Sequence, residues 1–510
     1  MSIVATSDLD HAPTRLLLVP LTSAIACVAL ADWLFFDWDV GISLALFLGV
    51  LGVVAVASNG VRAGRHIQIV MGTVFVAGLA ALIEDVNMLS KTIGMLATAM
   101  FVIIMTTSEQ SSWQRDLFEA ATVPFRGPFQ FVGDMIRALR HMKRGTAGWL
   151  ASLVAWIVPL GIFAIFLALF SSANPLIEHQ LDRIDLRVLF ELVGFWRLVF
   201  WISIACAVWP LLHRRVKPKP VRPFQPGSNA AAVEVSDPDH LLGEKAMSRS
   251  LILFNALFAL QTVLDLTYLW GGASLPDGMS HAEYAHRGAY PLIATALLSA
   301  AFVLVAMRPG GPAENSRLIR PLVLAWIAQN VLLVISSIFR LDLYVAAYSL
   351  TYLRLAALIW MVLVAIGLVL ILIQIELKKS NSWLLSANAI ALALALYACC
   401  FLNTPWVVAT YNVEHCREVG GTGPTLDMNY LKSLGSAQTL PPIEAHASQF
   451  PGTLSLSQAY RESPDRDYLK LPGNWRAWTF RRWRLERYFA NTPAERLNPS
   501  SSDPPSNDKG

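Results

Sequence analysis

The sequence predicts an all-α polytopic membrane protein with about eleven transmembrane helices and a small, mainly helical extracytoplasmic C-terminal tail. Of its 510 residues, 55% are hydrophobic and only 15% are charged, well below the roughly 25% charged residues of soluble domains. Apolar runs long enough to cross about 30 Å of hydrocarbon recur along the chain. Basic residues concentrate in alternate connections between these runs, which is typical of residues that orient helices in a bilayer.

Eleven apolar runs of roughly transmembrane length predict the membrane helices. They cover residues 16–36, 40–58, 67–83, 89–106, 148–170, 189–212, 250–270, 288–307, 319–339, 349–375 and 382–402. Glu84 and Asp85 end the third run, and Lys91 lies at the start of the fourth. Their polar ends predict a short outer turn between these two helices.

The distribution of Lys and Arg predicts the orientation of the helices. One set of connections contains twenty basic residues and comprises the N-terminus, 59–66, 107–147, 213–249, 308–318 and 376–381. The other set contains four and comprises 37–39, 84–88, 171–188, 271–287 and 340–348. By the positive-inside rule the first set is cytoplasmic. With eleven spans, we expect a multi-pass bacterial inner-membrane protein with a cytoplasmic N-terminus and an extracytoplasmic C-terminus; a count wrong by one would reverse the tail.

These patterns divide the chain into seven segments. We expect four transmembrane helices in 1–107, a cytoplasmic amphipathic basic segment in 108–147, helices five and six in 148–212, a cytoplasmic basic Pro-rich linker in 213–249, helices seven to eleven in 250–402, a helical extracytoplasmic tail in 403–490 and a disordered end in 491–510. Segment 108–147 alternates Phe, Met and Ile with Arg and Lys, which is typical of a helix on anionic inner-leaflet lipids. In the tail, Asp427 is a predicted helix N-cap.

Polar residues inside the predicted spans need partners, because each is costly in hydrocarbon. The seventh span contains Asp265 in its outer third, and the tenth contains Arg354 near its outer start. These two residues are candidates for a buried ion pair. The other interpretation is that the polar residues in the spans join helices by hydrogen bonds. These further polar residues are Asn255, Gln261, Gln329 and Asn330.

A polar cluster is predicted at the outer ends of helices seven to eleven, beside the stretch HAEYAHRGAYP at 281–291. Its members are Asp265, His281, Glu283, His286, Arg287, Arg340, Asp342 and Arg354, with Tyr411 and Asn412 at the start of the tail in the same layer. His281 and His286 are five residues apart, about 140° around a helix, which is a poor metal-binding spacing. Glu283 and Arg287 have the i, i+4 spacing of an ordinary surface ion pair. A helical lead-in to the eighth span therefore competes with an acid/base site.

The sequence contains no recognisable catalytic motif, so no catalytic residue is assigned and the question of an enzyme stays open. Neither a metal site nor a cofactor is predicted, and the five cysteines form no CxxC pair. We expect the lipid bilayer, anionic inner-leaflet lipids and a membrane or periplasmic protein as partners. An extracytoplasmic tail argues against nucleic acid as a ligand of its Trp and Arg residues.

Several longer stretches carry a family resemblance. They are FNALFALQTVLDLTYLWGG, LPDGMSHAEYAHRGAYPLIATALLSAAFVLVAMRPG, RLDLYVAAYSLTYLRLAALIWM and FLNTPWVVATYNVEH, all within about 250–445. With these stretches the chain resembles the bacterial multi-pass membrane proteins grouped as domain of unknown function 4173. The resemblance implies a polytopic inner-membrane protein, without an established reaction, ligand or catalytic set.

Two functional hypotheses follow from the sequence. The first is a non-enzymatic scaffold or sensor component that binds a partner through its outer tail and loops. The second is an outer-leaflet enzyme or transporter that uses the predicted polar cluster, with His or Glu in acid/base roles or Arg354 holding an anionic head group.

Overall fold

The structure is a computed structural model, and the residues that it describes form helices and their connections. It describes residues 12–107, 112–141, 194–214, 244–270, 298, 318–434, 437–446, 450 and 474–492. The chain divides into two compact units, residues 1–220 with 472–483 and residues 221–471 with 484–510.

Residues 12–212 of the first unit contain six described helices. These are α1 (Ala12–Phe35), α2 (Ile42–Asn59), α3 (Arg65–Glu84), α4 (Met88–Thr106), α5 (Trp113–His141) and α6 (Phe195–Leu212). The short turn predicted between the third and fourth spans is confirmed by α3 and α4. The Asn87 side chain caps α4 by accepting a hydrogen bond from the backbone N–H of Ser90 at 3.0 Å. Ser90 Oγ in turn accepts a hydrogen bond from the backbone N–H of Asn87 at 3.0 Å, which completes a capping box.

The second unit begins with α7 (Glu244–Leu264), which continues as a π-helix (Asp265–Trp270). It then contains α8 (Ile319–Tyr348), α9 (Tyr352–Glu376), α10 (Asn381–Phe401), α11 (Thr404–His415), α12 (Met428–Ser433) and α13 (Leu440–Glu444). The predicted cap of α12 is confirmed, because the Asp427 carboxylate accepts from the backbone N–H of Tyr430 at 2.9 Å. A last helix, α14 (Phe480–Asn491), follows further along the chain.

Seven of the described helices are long and apolar enough to cross a membrane. They are Ile42–Asn59, Arg65–Glu84, Met88–Thr106, Ser248–Tyr268, Ile319–Tyr348, Tyr352–Glu376 and Asn381–Phe401. The first and sixth predicted spans correspond to shorter apolar helices, Val19–Phe35 and Trp196–Leu212. The predicted spans at 148–170 and 288–307 lie outside the described residues.

Small residues let the helices of the first unit approach closely. A Cβ atom on Gly78 of α3 would lie only 2.5 Å from Ala97 Cβ of α4, and such close approach is typical of helix packing in membranes. Phe75 of α3 stacks on Phe101 of α4 with ring centroids 4.4 Å apart. Gly52 of α2 leaves the space that the Phe75 ring occupies. These contacts form the centre of the apolar core of this unit.

Arg214 connects several helix ends of the first unit. Its guanidinium donates from Nη1 to the Ile103 carbonyl and to Thr106 Oγ1, both at 2.6 Å, and from Nη2 to Glu119 Oε1 at 2.8 Å. The Arg214 backbone N–H donates to Asn59 Oδ1 at 3.0 Å. The C-terminal ends of α2, α4 and α6 therefore lie together, close to the start of α5. Arg214 belongs to the predicted linker 213–249, and its fixed position is a feature that the linker interpretation did not foresee.

The second unit has one apolar core between its long helices and another beneath the tail helices α11, α12 and α13. Trp326 of α8, 1% exposed, lies in the first core between Phe254 and Phe258 of α7. Val345 of α8 and Val408 of α11 belong to the second core. The outer loop predicted at 340–348 is wrong, since α8 continues without interruption to Tyr348.

Candidate functional site

A buried cluster of polar side chains joins α7 and its π-helical extension to α8. The Gln261 side-chain amide donates to Asp265 Oδ1 at 2.9 Å. From α8, Ser336 Oγ donates to Asp265 Oδ2 at 2.6 Å, and the Arg340 guanidinium forms an ion pair with Oδ1. Both carboxylate oxygens therefore accept hydrogen bonds, and the donors come from two different helices.

The Asp265–Arg340 pair is shielded from solvent on both sides. Each residue is only 3% exposed. Ser336 and Arg340 are four residues apart on α8, so they share the helix face that the carboxylate meets. Removing one member of such a pair leaves an uncompensated charge in a medium of low dielectric, whereas the intact pair is neutral as a unit. This explains how α8 accommodates an arginine that sequence reasoning assigned to a loop.

Asp265 is also the residue at which the helix changes type. The α-helical hydrogen bonding of α7 ends at Leu264, and the wider π-helix begins at Asp265. π-helical turns inside longer helices are rare and frequently mark functional sites. The seventh predicted span, 250–270, is thus confirmed as helical, but it is not a uniform α-helix.

Buried amides extend the polar surface along α7 and α8. The Asn255 side-chain amide donates to the Leu251 carbonyl of its own helix at 2.8 Å and to the Leu322 carbonyl of α8 at 3.1 Å. Asn330, 1% exposed, donates to the Trp326 carbonyl at 2.8 Å. Within the described part of the chain, three buried side-chain amide oxygens have no hydrogen-bond donor. They are Asn255 Oδ1, Gln329 Oε1 and Asn330 Oδ1.

Arg354 does not pair with Asp265, so the predicted Asp265–Arg354 ion pair is wrong. Arg354 Nη1 donates to the Tyr348 carbonyl at 2.6 Å and to the Ser349 carbonyl, and its guanidinium lies 4.4 Å from the centroid of the Tyr344 ring. The carbonyls at the end of α8 carry partial negative charge and attract the cation. Ser349 has a φ of +67°, which marks the turn that Arg354 holds.

Asp342 lies on the exposed surface of α8, near the first tail helix. Burial raises the pKa of the Tyr411 hydroxyl above its ordinary value, and the negative charge of Asp342 raises it further. Tyr411 is therefore a neutral phenol near neutral pH. The two residues were predicted to share an outer layer. Their electrostatic interaction means that they lie near each other, and the outer side stays a prediction.

Asn412 attaches the tail helices to the turn between α8 and α9. Its Oδ1 accepts a hydrogen bond from the backbone N–H of Leu350 at 2.7 Å, and its Nδ2 donates to the Leu350 carbonyl at 2.9 Å. This pairing satisfies both backbone polar groups of Leu350 and the side-chain amide of Asn412, which is buried. Beside it, the Tyr352 backbone N–H donates to the Tyr430 hydroxyl oxygen at 2.8 Å.

Four members of the predicted polar cluster lie outside the described residues. They are His281, Glu283, His286 and Arg287. Of the other four, the structure brings Asp265 and Arg340 together, places Arg354 at the end of α8 and leaves Asp342 exposed. The interpretation that polar residues in the spans join helices by hydrogen bonds describes Asn255, which donates to the Leu322 carbonyl of α8. Gln261 instead bonds to Asp265 within the same continuous helix.

A second polar arrangement lies at the α1–α2 turn, where the docking segment (residues 474–483) packs within the first unit. The Arg476 guanidinium lies 4.7 Å from the Trp33 ring, 5.1 Å from the Trp38 ring and 5.5 Å from the Trp475 ring. Arg476 Nε also donates to the Trp33 carbonyl at 3.0 Å. These are cation–π distances, and the surrounding rings hold the cation from several sides.

Backbone contacts and ion pairs continue this attachment. The Ile42 backbone N–H donates to the Trp478 carbonyl at 2.8 Å. Arg481 bonds to Glu84 Oε1 at 3.3 Å and to Asp85 Oδ2 at 3.0 Å, so the acidic turn between α3 and α4 neutralises one arginine of the tail. A cavity of about 870 Å³ lies beside this attachment. Its lining residues are Phe35, Asp37, Trp38, Asp39, Asn474, Trp475, Arg476 and Ala477.

Sequence reasoning missed Ser336 and the partners of Arg476. Ser336 lies four residues before Arg340, and this spacing is a signal that two α8 donors face one acceptor. The contacts of Arg476 with Trp33 and Trp38 have no such signal. The two tryptophans lie more than four hundred residues away in the sequence, and no local pattern connects them to the tail.

The match to a family model covers most of the chain. Residues 70–446 match the family described as Domain of unknown function (DUF4153). The resemblance to domain of unknown function 4173 was therefore wrong in the family it named, although it was right that the chain belongs to a family without an assigned function. No curated protein and no solved structure matches the chain. Seven helices among the described residues have membrane-spanning length. Because the family model matches residues 70–446 of the 510, the chain belongs to the DUF4153 family.

Proposed function

We propose that the protein is a non-enzymatic scaffold or sensor component of the bacterial inner membrane, which binds a protein partner through its outer tail and loops. The observation that carries the proposal is the buried Asp265–Arg340 ion pair. A general acid or base must reach the proton that it transfers, whereas these two charges neutralise each other and are each 3% exposed. Their geometry suits the fastening of helices better than a reaction with a substrate.

The order of the tail supports the partner-binding part of the proposal. Asn412 and Tyr430 attach the tail helices to the α8–α9 turn. In the first unit, Arg476 and Arg481 attach the docking segment to the α1–α2 and α3–α4 turns. A surface that is fixed before binding loses less conformational entropy when a partner associates. A tail ordered in this way is suited to present a fixed binding surface.

The charges of the first unit support an outer location for that surface. The docking segment contacts the α1–α2 and α3–α4 turns, and residues 37–39 and 84–88 contain no Lys or Arg. The connection at the other ends of α2 and α3 contains Arg62. The positive-inside rule then assigns Arg62 to the cytoplasm and the docking segment to the outside. An outside tail, together with a cytoplasmic N-terminus, is the topology that we propose.

One observation favours the second candidate, an outer-leaflet enzyme or transporter. Asn255, Gln329 and Asn330 each have an amide oxygen without a donor among the described residues, and buried acceptors normally have partners. Such oxygens suit a substrate that donates hydrogen bonds, such as an alcohol, an amine or a hydrated cation. If Gln329→Leu leaves the thermal stability unchanged but abolishes the cellular phenotype, this candidate gains over the scaffold.

Site-specific photo-crosslinking in the native host tests the scaffold. A photoreactive phenylalanine analogue is placed at Trp406, Glu414 or Asn429, which are exposed on the tail helices. Leu394 of α10, 62% exposed, is the matched control on a candidate membrane span. We expect one protein to be captured from the tail positions and only lipid from Leu394.

The captured protein must also share the phenotype. We expect deletion of its gene to reproduce the growth defects caused by deletion of the gene for this chain, across a panel of envelope stresses. The scaffold proposal is abandoned if the three tail positions capture no protein while Leu394 captures lipid. It is also abandoned if loss of the captured protein has an unrelated growth profile.

A further inference from the structure

The helix α5 uses one face to pack against the other helices of the first unit. On this face Asp134 accepts a hydrogen bond from Trp209 Nε1 of α6 at 3.0 Å, and Gln130 Nε2 donates to the His213 carbonyl at 2.7 Å. Gly127 approaches α6 so closely that an added Cβ would lie 2.1 Å from the Cys206 carbonyl oxygen. Ala120 belongs to the buried core. One side of α5 is therefore fully committed to contacts within the protein.

The opposite face of α5 is apolar and exposed. The residues that form it are Phe118, Phe125, Phe129, Val132 and Ile136. At about 100° per residue these positions fall within a sector of roughly 60°, and the sector points away from the packed face. Phe125 is 74% exposed and Phe129 is 82% exposed. Aromatic side chains in such a row are costly to leave in water.

A row of arginines lies beside this apolar face. Arg115, Arg126 and Arg137 are exposed and recur along one stripe of α5; Arg137 also pairs with Asp134 at 3.0 Å. The helix thus has three stripes: one packed against protein, one aromatic and one cationic. An adjoining apolar and basic surface matches the boundary between acyl chains and anionic head groups.

The position of α5 brings these stripes to the end of the membrane-spanning helices. Its contacts with α6 include Trp209 and His213, at the C-terminal end of that helix. Glu119 of α5 meets Arg214, which also binds the end of α4 through the Ile103 carbonyl. Since α4 is a candidate membrane span, α5 lies at the level where a span leaves the hydrocarbon.

We propose that the aromatic face of α5 inserts into the head-group region of an anionic phospholipid leaflet, with Arg115, Arg126 and Arg137 contacting the phosphates. The apolar stripe supplies burial, and the arginines select lipids of net negative charge. The lipid contact is separate from the outer tail and does not depend on the proposed scaffold role. It makes α5 a lipid-sensing surface that is coupled through Glu119 and Arg214 to the ends of α4 and α6.

The test uses the full chain in nanodiscs that contain equal amounts of phosphatidylglycerol and phosphatidylcholine. A photoreactive phenylalanine analogue replaces Phe125 or Phe129, and mass spectrometry identifies the adducts. Val53 of α2, 61% exposed on a candidate span, is the positive control for lipid contact. We expect lipid adducts at all three positions, with phosphatidylglycerol preferred at Phe125 and Phe129.

A charge variant tests the arginine stripe separately from folding. In Arg115→Gln/Arg126→Gln the preference for phosphatidylglycerol at Phe125 falls by up to roughly fivefold for each arginine removed. Lys432→Gln, which removes an exposed cation from α12, leaves the preference unchanged. Thermal stability is measured on the same samples, and we expect no change because both arginine side chains are exposed.

Three results would overturn the proposal. The first is an adduct from Phe125 or Phe129 to another part of this chain or to a second copy, which would mean that protein covers the face. The second is no adduct from either position while Val53 gives lipid adducts, since the face would then lie in water. The third is a preference for phosphatidylglycerol that is unchanged in the double arginine variant, because the arginines would then not select anionic lipids.

Discussion

Asp265 and Arg340 form an ion pair that joins the start of a π-helix to the C-terminal third of α8, with each residue only 3% exposed. Ser336 and Gln261 also donate hydrogen bonds to the carboxylate. The pair lies within two helices that have membrane-spanning length. Its members therefore depend on each other more strongly than the partners of a surface ion pair do.

Arg340→Met alone is expected to lower the free energy of unfolding by roughly 3–5 kcal/mol, because the Asp265 carboxylate stays buried without its cation. Thermal unfolding in detergent measures the loss. The matched control is Arg320→Met, which removes one partner of the exposed Arg320–Glu376 pair at 3.7 Å and is expected to cost at most about 1 kcal/mol. Equal losses in the two variants would contradict the burial argument.

Asn412→Leu is expected to release the tail helices from the α8–α9 turn. It leaves the N–H and C=O of Leu350 without their partners, at a cost of roughly 1–3 kcal/mol for each group. Hydrogen exchange in α11 and in residues 350–352 is expected to accelerate. Asn429→Leu, an exposed change on α12, serves as the control; unchanged exchange in the Asn412 variant would show that the attachment lies elsewhere.

Gly78→Ala is expected to destabilise the α3–α4 pair, because the new Cβ would lie 2.5 Å from Ala97 Cβ. The helices must separate, and the close packing that small residues allow is lost. The second-site change Ala97→Gly is expected to restore most of the stability by removing the other Cβ. Thermal unfolding of the single and double variants compares them, and a double variant as unstable as Gly78→Ala would refute this reading of the interface.

The loop that contains Glu418 is expected to lose stability at acid pH. Burial by itself would raise the pKa of Glu418, but the backbone N–H groups of Glu418 and Leu426 together hold the pKa below its ordinary value of 4.5. A carboxyl with a lowered folded-state pKa contributes stability above its unfolded-state pKa, and this contribution disappears as the pH falls through the folded-state value. The protection factor for hydrogen exchange at Leu426, which corrects for the intrinsic pH dependence of exchange, is therefore expected to fall below about pH 4.5.

Glu418→Gln is the control for this pH effect. The amide retains an acceptor for the Leu426 N–H but does not titrate. We expect the protection factor of Leu426 in this variant to lack the additional fall at acid pH. The same acid response in both proteins would assign it to another group.

The positions of the apolar helices were largely predictable from the sequence, because hydropathy and length alone define a span. The third and fourth runs ended at Glu84 and Asp85 and started near Lys91, and the turn formed there as expected. The end of the ninth run was not predictable in the same way. An arginine at the end of an apolar run predicts the start of a loop. Arg340 continues the helix because Asp265, 75 residues earlier, neutralises its charge.

The pairing of charges was the least predictable feature. The predicted polar cluster contained three arginines that could pair with Asp265, namely Arg287, Arg340 and Arg354. The sequence favoured Arg354 by its depth in the tenth run. The structure selects Arg340 because that residue lies on the α8 face that meets the π-helix, a tertiary fact without a local signal. The local features of the tail, such as the Asp427 cap, were predictable because they depend on three or four neighbouring residues.

We propose that the Asp265–Arg340 pair fastens helices and takes no part in a reaction. The most direct test is the competitive growth of the native host carrying Asp265→Leu/Arg340→Met, beside the control Arg320→Met/Glu376→Leu, under conditions where deletion of the gene is harmful. We predict wild-type growth and near wild-type thermal stability for both double variants, since apolar residues can replace a buried ion pair with little loss of stability. Growth as poor as that of the deletion strain, in a double variant that stays folded, would contradict the claim and identify the pair as part of a working site.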